Sequence, residues 1–204
     1  MQKLLYMNSN EKIQGKIQEK FDIQHEPENA EHELRKAYNC AVEHSMTYFW
    51  DRKNIEGVNP NEVVKIYKRA MNAYEEGKRL AAERWARTAK HLSFAFWHEA
   101  KITFLEKHQN ELTFLKAATP DEYNLHEHSD TTADLLDSVS KNITDEHMRY
   151  FLLRARGHLL TLDRPEYKHE LLRAERLKAA HEYARMLECM TLAYEAESIQ
   201  KVAA

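Results

Sequence analysis

Half of the twelve histidines in this chain are followed directly by glutamate: His25-Glu26, His32-Glu33, His98-Glu99, His126-Glu127, His169-Glu170 and His181-Glu182. Both side chains ligate first-row metals, and on helices they can build two kinds of catalytic centre. A zinc-protease helix sets two histidines four residues apart, so that both reach one ion at about 2.0 Å while a glutamate serves as base. A di-iron bundle takes one Glu from each of two helices and a Glu-x-x-His step from each of two others.

Spacing excludes the first arrangement. Four residues after the six histidines stand Asn29, Lys36, Ile102, Asp130, Arg173 and Arg185, so no HExxH exists. His91 and His98 share a helix face, but seven residues put them about 10.5 Å apart along the axis, too far to chelate one ion. The second arrangement has one Glu-x-x-His step, Glu166 to His169, in the first turn of the last predicted helix. The densest remaining cluster is DEYNLHEHSD, residues 121–130, with Glu122, His126 and His128 among its acids and imidazoles. A metal centre would therefore draw on Glu122, His126, His128, Glu166 and His169, as in a ferritin-like or haem-oxygenase-like enzyme. This is the subordinate reading; the leading one carries no cofactor. A glycine-rich phosphate loop, a G-x-S-x-G turn and a local signature for a cysteine nucleophile are all missing.

The elements that must position these residues are helices. Only four Gly and four Pro occur in 204 residues, 31% of residues are charged and 10% are aromatic, which predicts an all-α fold of long amphipathic helices. With 30 basic against 33 acidic residues, interleaved, no broad positive field exists for a nucleic-acid backbone. No apolar run approaches the roughly 20 residues that cross a bilayer, and the amino end lacks a secretory apolar segment. Cys40 and Cys189 sit among apolar neighbours in helical patterns and suit buried thiols in the cytoplasm, although export without a cleaved signal would look the same.

Along the chain, Ile13, Ile17 and Phe21 make a thin apolar stripe on a short helix, an appendage over residues 1–24; residues 25–204 form one helical domain. A helix is predicted from about 27 to 53. Asn59-Pro60 caps and opens the next. Gly77 either ends that helix or merely weakens it, and Lys78 to Ala117 could be one helix about 60 Å long. Apolar residues point to every side of it between Leu92 and Leu105, which makes it the central helix, with Trp97, Phe96, Leu92 and Ala100 in the core and Trp85 nearer the edge. A short helix follows over 132–140, then one from Asp145 through Leu162 and a long last one opening at Asp163-Arg164-Pro165. Five main helices, two of them long, pack as an antiparallel bundle or as stacked hairpins.

Two internal patterns bear on this architecture. PENAEHELRKA (27–37) echoes PEYKHELLRA (165–174), which an ancient duplication could leave but a shared helix-start grammar mostly explains. Ala70, Gly77, Ala82 and Ala89, spaced 7, 5 and 7, resemble the small-residue positions of a tetratricopeptide helical hairpin over about residues 66–94; Ala86 and Phe94 depart from that pattern. The resemblance implies a protein-binding hairpin.

The leading functional reading is a non-enzymatic helical interaction module, of adaptor, chaperone-like or effector kind, with another protein as partner; a self-associating structural bundle is the other alternative. Its interface is sought at Tyr48, Phe49 and Trp50. Three consecutive aromatics fan through about 200° of a helix, so at least one must leave the core-facing stripe.

Overall fold

The computed structural model describes residues 29–50, 55, 58–108, 125–143, 145–162, 164 and 169–202, with the side chains of 42–50, 125–127 and 200–202 outside that description. The expected appendage over 1–24 lies outside it too. Among the described residues there are six helices and no strand: α1 Asn29–Trp50, α2 Pro60–Glu75, α3 Arg79–Lys107, α4 Leu125–Ser140, α5 Glu146–Leu160 and α6 Glu170–Val202.

Local chemistry sets several of the boundaries. Asn59 Oδ1 accepts from the Asn61 N–H at 3.1 Å, with Pro60 in the first turn of α2, and Asp145 Oδ1 accepts from the His147 N–H at 2.8 Å to open α5. Gly77 breaks the chain: its φ is +76°, its N–H donates to the Tyr74 carbonyl, and the Lys78 N–H donates to that of Ala73. This left-handed glycine closes α2 and turns the chain back into α3. Three other boundaries differ from the sequence reading. Helix α3 ends at Lys107 rather than Ala117, with His108 already in a turn. Helix α4 begins at Leu125 rather than near Thr132, and so takes in part of the acidic and histidine-rich segment. Helix α6 starts at Glu170, five residues past Pro165.

Two helices are central. Helix α3 packs against α1, α2 and α6, while α6 packs against α3, α4 and α5. They run antiparallel, for His91 meets Glu182 and His98 meets Glu175: seven residues up one helix match seven down the other. Helices α2 and α3 run antiparallel, Tyr74 meeting Arg79 and Arg69 meeting Trp85, and so do α5 and α6, Thr161 meeting Arg176 and Phe151 meeting Tyr183. Helix α1 instead follows α3 in the same sense, since Glu33 reaches Lys90 while Ser93 Oγ donates to the Cys40 carbonyl. Being enclosed, α3 buries Ala81, Trp85, Ala89, Leu92, Phe96 and Ile102 on several faces at once. The tryptophans are reversed relative to the sequence reading: Trp85 is 1% exposed, while Trp97 is only half-buried, with the Lys101 ammonium 3.5 Å over its ring. Trp85 is enclosed because α2 and the end of α6 meet over it.

Candidate functional site

On a helix wrapped by neighbours, consecutive residues 100° apart face different partners, which makes a His-Glu pair useful. His98 Nδ1 lies 2.6 Å from Glu175 on α6, while Glu99 turns towards α5. There Glu99 Oε1 accepts from Arg154 Nε at 3.0 Å, His158 Nε2 at 2.9 Å and the Tyr183 hydroxyl of α6 at 3.0 Å. Burial alone would raise the Glu99 pKa, but the hydrogen bond and charge from His158, then Arg154, outweigh it and hold it at about 2. Glu175 is held at about 2 in the same way, burial being overcome by His98, Lys101 and Lys178. Burial and the nearby Glu99 push the Tyr183 phenol well up, and burial pushes the Cys189 thiol up to about 11.

The chemical consequence is that these groups hold their protons or their charge firmly near neutral pH. Glu99 is an ionised acceptor shared by three donors, Tyr183 stays a donor and Cys189 stays a thiol, so the cluster fastens α3, α5 and α6 together. A second clamp joins α2, α3 and α6. The Arg69 guanidinium lies over Trp85 at 4.0 Å and Tyr194 at 4.7 Å, and Glu197 accepts from both Arg69 and the Trp85 indole N–H.

Helix α5 is held through Arg154, His158 and Phe151, and this fixes what it shows outward. Met148, Phe151, Leu152, Ala155 and His158 are buried within an arc of about 120°. Tyr150, Leu153, Gly157 and Leu160 fall within about 80° on the opposite side. Leu153 is 68% and Leu160 77% exposed, and Tyr150 is exposed too. Helix α5 is thus apolar on both faces, and only one faces the core. A Cβ placed on Gly157 would meet nothing, so the middle of the row is open. At its amino end the row runs into an open groove of ≈310 Å³ lined by Val58, Asn59, Glu62, Phe96, His147, Tyr150 and Phe151. On its rim His147 Nε2 lies 3.4 Å from Glu62. Tyr150 links the outer row to the buried cluster, its hydroxyl oxygen accepting from Arg154 Nη1 at 3.3 Å.

Of the residues singled out from sequence, Glu122 and Glu166 lie outside the described residues, as do the side chains of His126, Tyr48, Phe49 and Trp50. His128 is exposed on α4 and His169 is half-buried just before α6. Among the described residues no three His, Cys, Asp or Glu side chains are grouped to hold a metal ion. Within the echo between 27–37 and 165–174, Glu33 is buried against Lys90 whereas its counterpart Glu170 is exposed. Arg154 and His158, which join Tyr183 at Glu99, and the Leu153–Leu160 row escaped the sequence reading. The row had a signal, since apolar residues at 150, 153 and 160 repeat at helical spacing beside a second apolar stripe. No helix among the described residues is long and apolar enough to cross a membrane. No known protein family, curated protein or solved structure matches this chain.

Proposed function

We propose that this chain is a helical protein-interaction module, an adaptor, chaperone-like or effector protein, whose docking face is the outer side of α5. The observation that carries the reading is the second apolar row of α5, Tyr150, Leu153 and Leu160, facing away from the core beside an open groove. Leucines exposed singly are ordinary on protein surfaces; a row of them that adjoins a groove is the composition of an interface. The scaffold supports the same reading, because Arg154, His158 and Phe151 fix the helix from behind and so preorganise its outer side. Cys189, a buried thiol whose pKa burial pushes up, suits the cytoplasm as the place of action.

The test is photo-crosslinking in cells from a reactive residue placed at Leu153, compared with one placed at Ile199, an exposed apolar residue elsewhere. The expected result is a discrete adduct from position 153 that disappears with Leu160→Glu while the melting temperature holds. Adducts from position 199 alone, or adducts indifferent to Leu160→Glu, would reject α5 as the docking face.

A further inference from the structure

We infer that the segment before α1 docks on its own chain, laying the stripe of Ile13, Ile17 and Phe21 in a trough between α1 and α2; this is independent of the α5 face. The trough follows from the pattern of α2. Val63, Ile66, Ala70 and Ala73 are buried against the core, and one residue further on, rotated by about 100°, Val64, Tyr67, Met71 and Tyr74 make a second apolar row about 15 Å long. Val64 is 46% exposed and the other three are half-buried. Helix α1 runs antiparallel along one side of this row: its Glu31 accepts from the Tyr74 hydroxyl, and seven residues on the Tyr38 ring lies 6.1 Å from that of Tyr67. Tyr38 is itself 55% exposed. The two helices thus form a shallow apolar trough, with Tyr38 on one wall and Val64 and Tyr67 on the other.

The point where the chain enters α1 selects the occupant. Residues 1–28, outside the described ones, join α1 at Asn29, two residues before the Glu31 that marks the Tyr74 end of the trough. Ile13, Ile17 and Phe21 recur at four-residue steps, which predicts one apolar stripe about 12 Å long, a match for the row on α2. The seven residues from Asp22 to Glu28 span up to about 23 Å and are a usual length for the connection between antiparallel helices. Phe21 then meets the Tyr74 end and Ile13 the Val64 end. The α5 row is a poorer host, since it starts where Phe151 meets Phe96, about 25 Å further along α3 than the corner where Arg79 meets Tyr74. The small area of the trough excludes a separate partner more than a tethered one. Two free molecules must offset lost translational and rotational freedom, and stable pairs bury about 800 Å² a side, whereas a short linker holds its segment at roughly millimolar effective concentration. Charge does not enter the choice, because Lys12, Lys16 and Lys20 of the segment are balanced by Glu11, Glu19 and Asp22.

A photoreactive benzophenone side chain placed at Tyr38 of the purified full chain tests this, beside a second chain that carries it at Leu153. Irradiated samples are separated by mass, and the crosslinks are mapped by mass spectrometry of the peptides. The expected result is a crosslink from position 38 into residues 10–24 at the mass of one chain. It should be lost with Ile17→Glu/Phe21→Glu in the segment and, separately, with Val64→Glu on the exposed wall of the trough; thermal melts confirm that each variant folds. The same crosslink at the mass of two chains overturns the inference, since the occupant is then the segment of a second copy. A crosslink into residues 10–24 from position 153 and not from 38 overturns it by seating the segment on α5. Position 38 reaching only other parts of the chain, or a crosslink into residues 10–24 that ignores the glutamate substitutions, overturns it as well.

Discussion

Glu99 is an acceptor whose removal leaves three buried or half-buried donors, Arg154, His158 and Tyr183, without their shared oxygen. Truncating one member of a buried charged cluster costs more than the cluster contributes, because the remaining charge stays desolvated. Glu99→Ala is therefore expected to destabilise the fold by about 3–5 kcal/mol in urea titration. The cluster also fixes how stability varies with pH. Glu99 and Glu175 are held at about 2 against an ordinary value of 4.5, so the unfolded chain takes up protons first and stability is lost as pH falls from about 4.5 towards 2. Burial lowers the pKa of His91 and of His181, so below about 6.5 the unfolded chain again binds protons first, and stability falls in the same direction. Unfolding free energy should decline from neutrality downward and steepen below about pH 4.5, with Glu99→Gln flattening the steep limb. A stability maximum at pH 4 would contradict this. The glutamate was legible in sequence only as half of a pair. Its donors stand 55, 59 and 84 residues away, and no local spacing announces partners that only packing brings together.

Helix α3 shows where periodicity informs and where it stops. Apolar residues on every side mark an enclosed helix, but they cannot say which tryptophan is covered, since that depends on where the neighbouring helices end. Trp85→Ala should cost about 3–5 kcal/mol and also release Glu197 and Arg69, whereas Trp97→Ala, at a half-buried position, should cost less than about 2. The opposite order in denaturant midpoints would restore Trp97 to the core. The caps at Asn59 and Asp145 were readable because their chemistry is local. Gly77 was not: a glycine inside a helical pattern is tolerated at a cost of about 1 kcal/mol, so composition alone leaves break and continuation open. The two described glycines now separate. Gly77→Ala forces an L side chain into the left-handed region and should destabilise by about 1–2 kcal/mol. Gly157→Ala lies in open space on a helix and should stabilise by about 0.5–1 kcal/mol, while weakening any partner that approaches the backbone there. Thermal melts of the two variants should move in opposite directions.

At the scale of the molecule, the all-helical class followed from composition, whereas the pairing of helices did not, because amphipathic stripes specify that a face is buried and not by which neighbour. The parallel run of α1 along α3 and the enclosure of α6 by three helices are products of that choice. The order of elements along the chain has a temporal meaning. Helix α3 ends at Lys107 and α6 ends at Val202, yet the seam between them holds His91, His98 and Glu99 against Glu182, Glu175 and Tyr183. On a ribosome adding about 5–20 residues per second, α3 waits roughly 5–20 s for the helix that covers it. Until α5 brings Phe151 to Phe96, its Trp85, Leu92 and Phe96 surface has only α1 and α2 for shelter, and the carboxylates that pair with His91, His98 and Lys101 do not exist until α6 is made. Nascent chains stalled before Glu170 should accordingly be protease-sensitive through α3 and held by cellular chaperones, and both should be relieved once α6 has emerged.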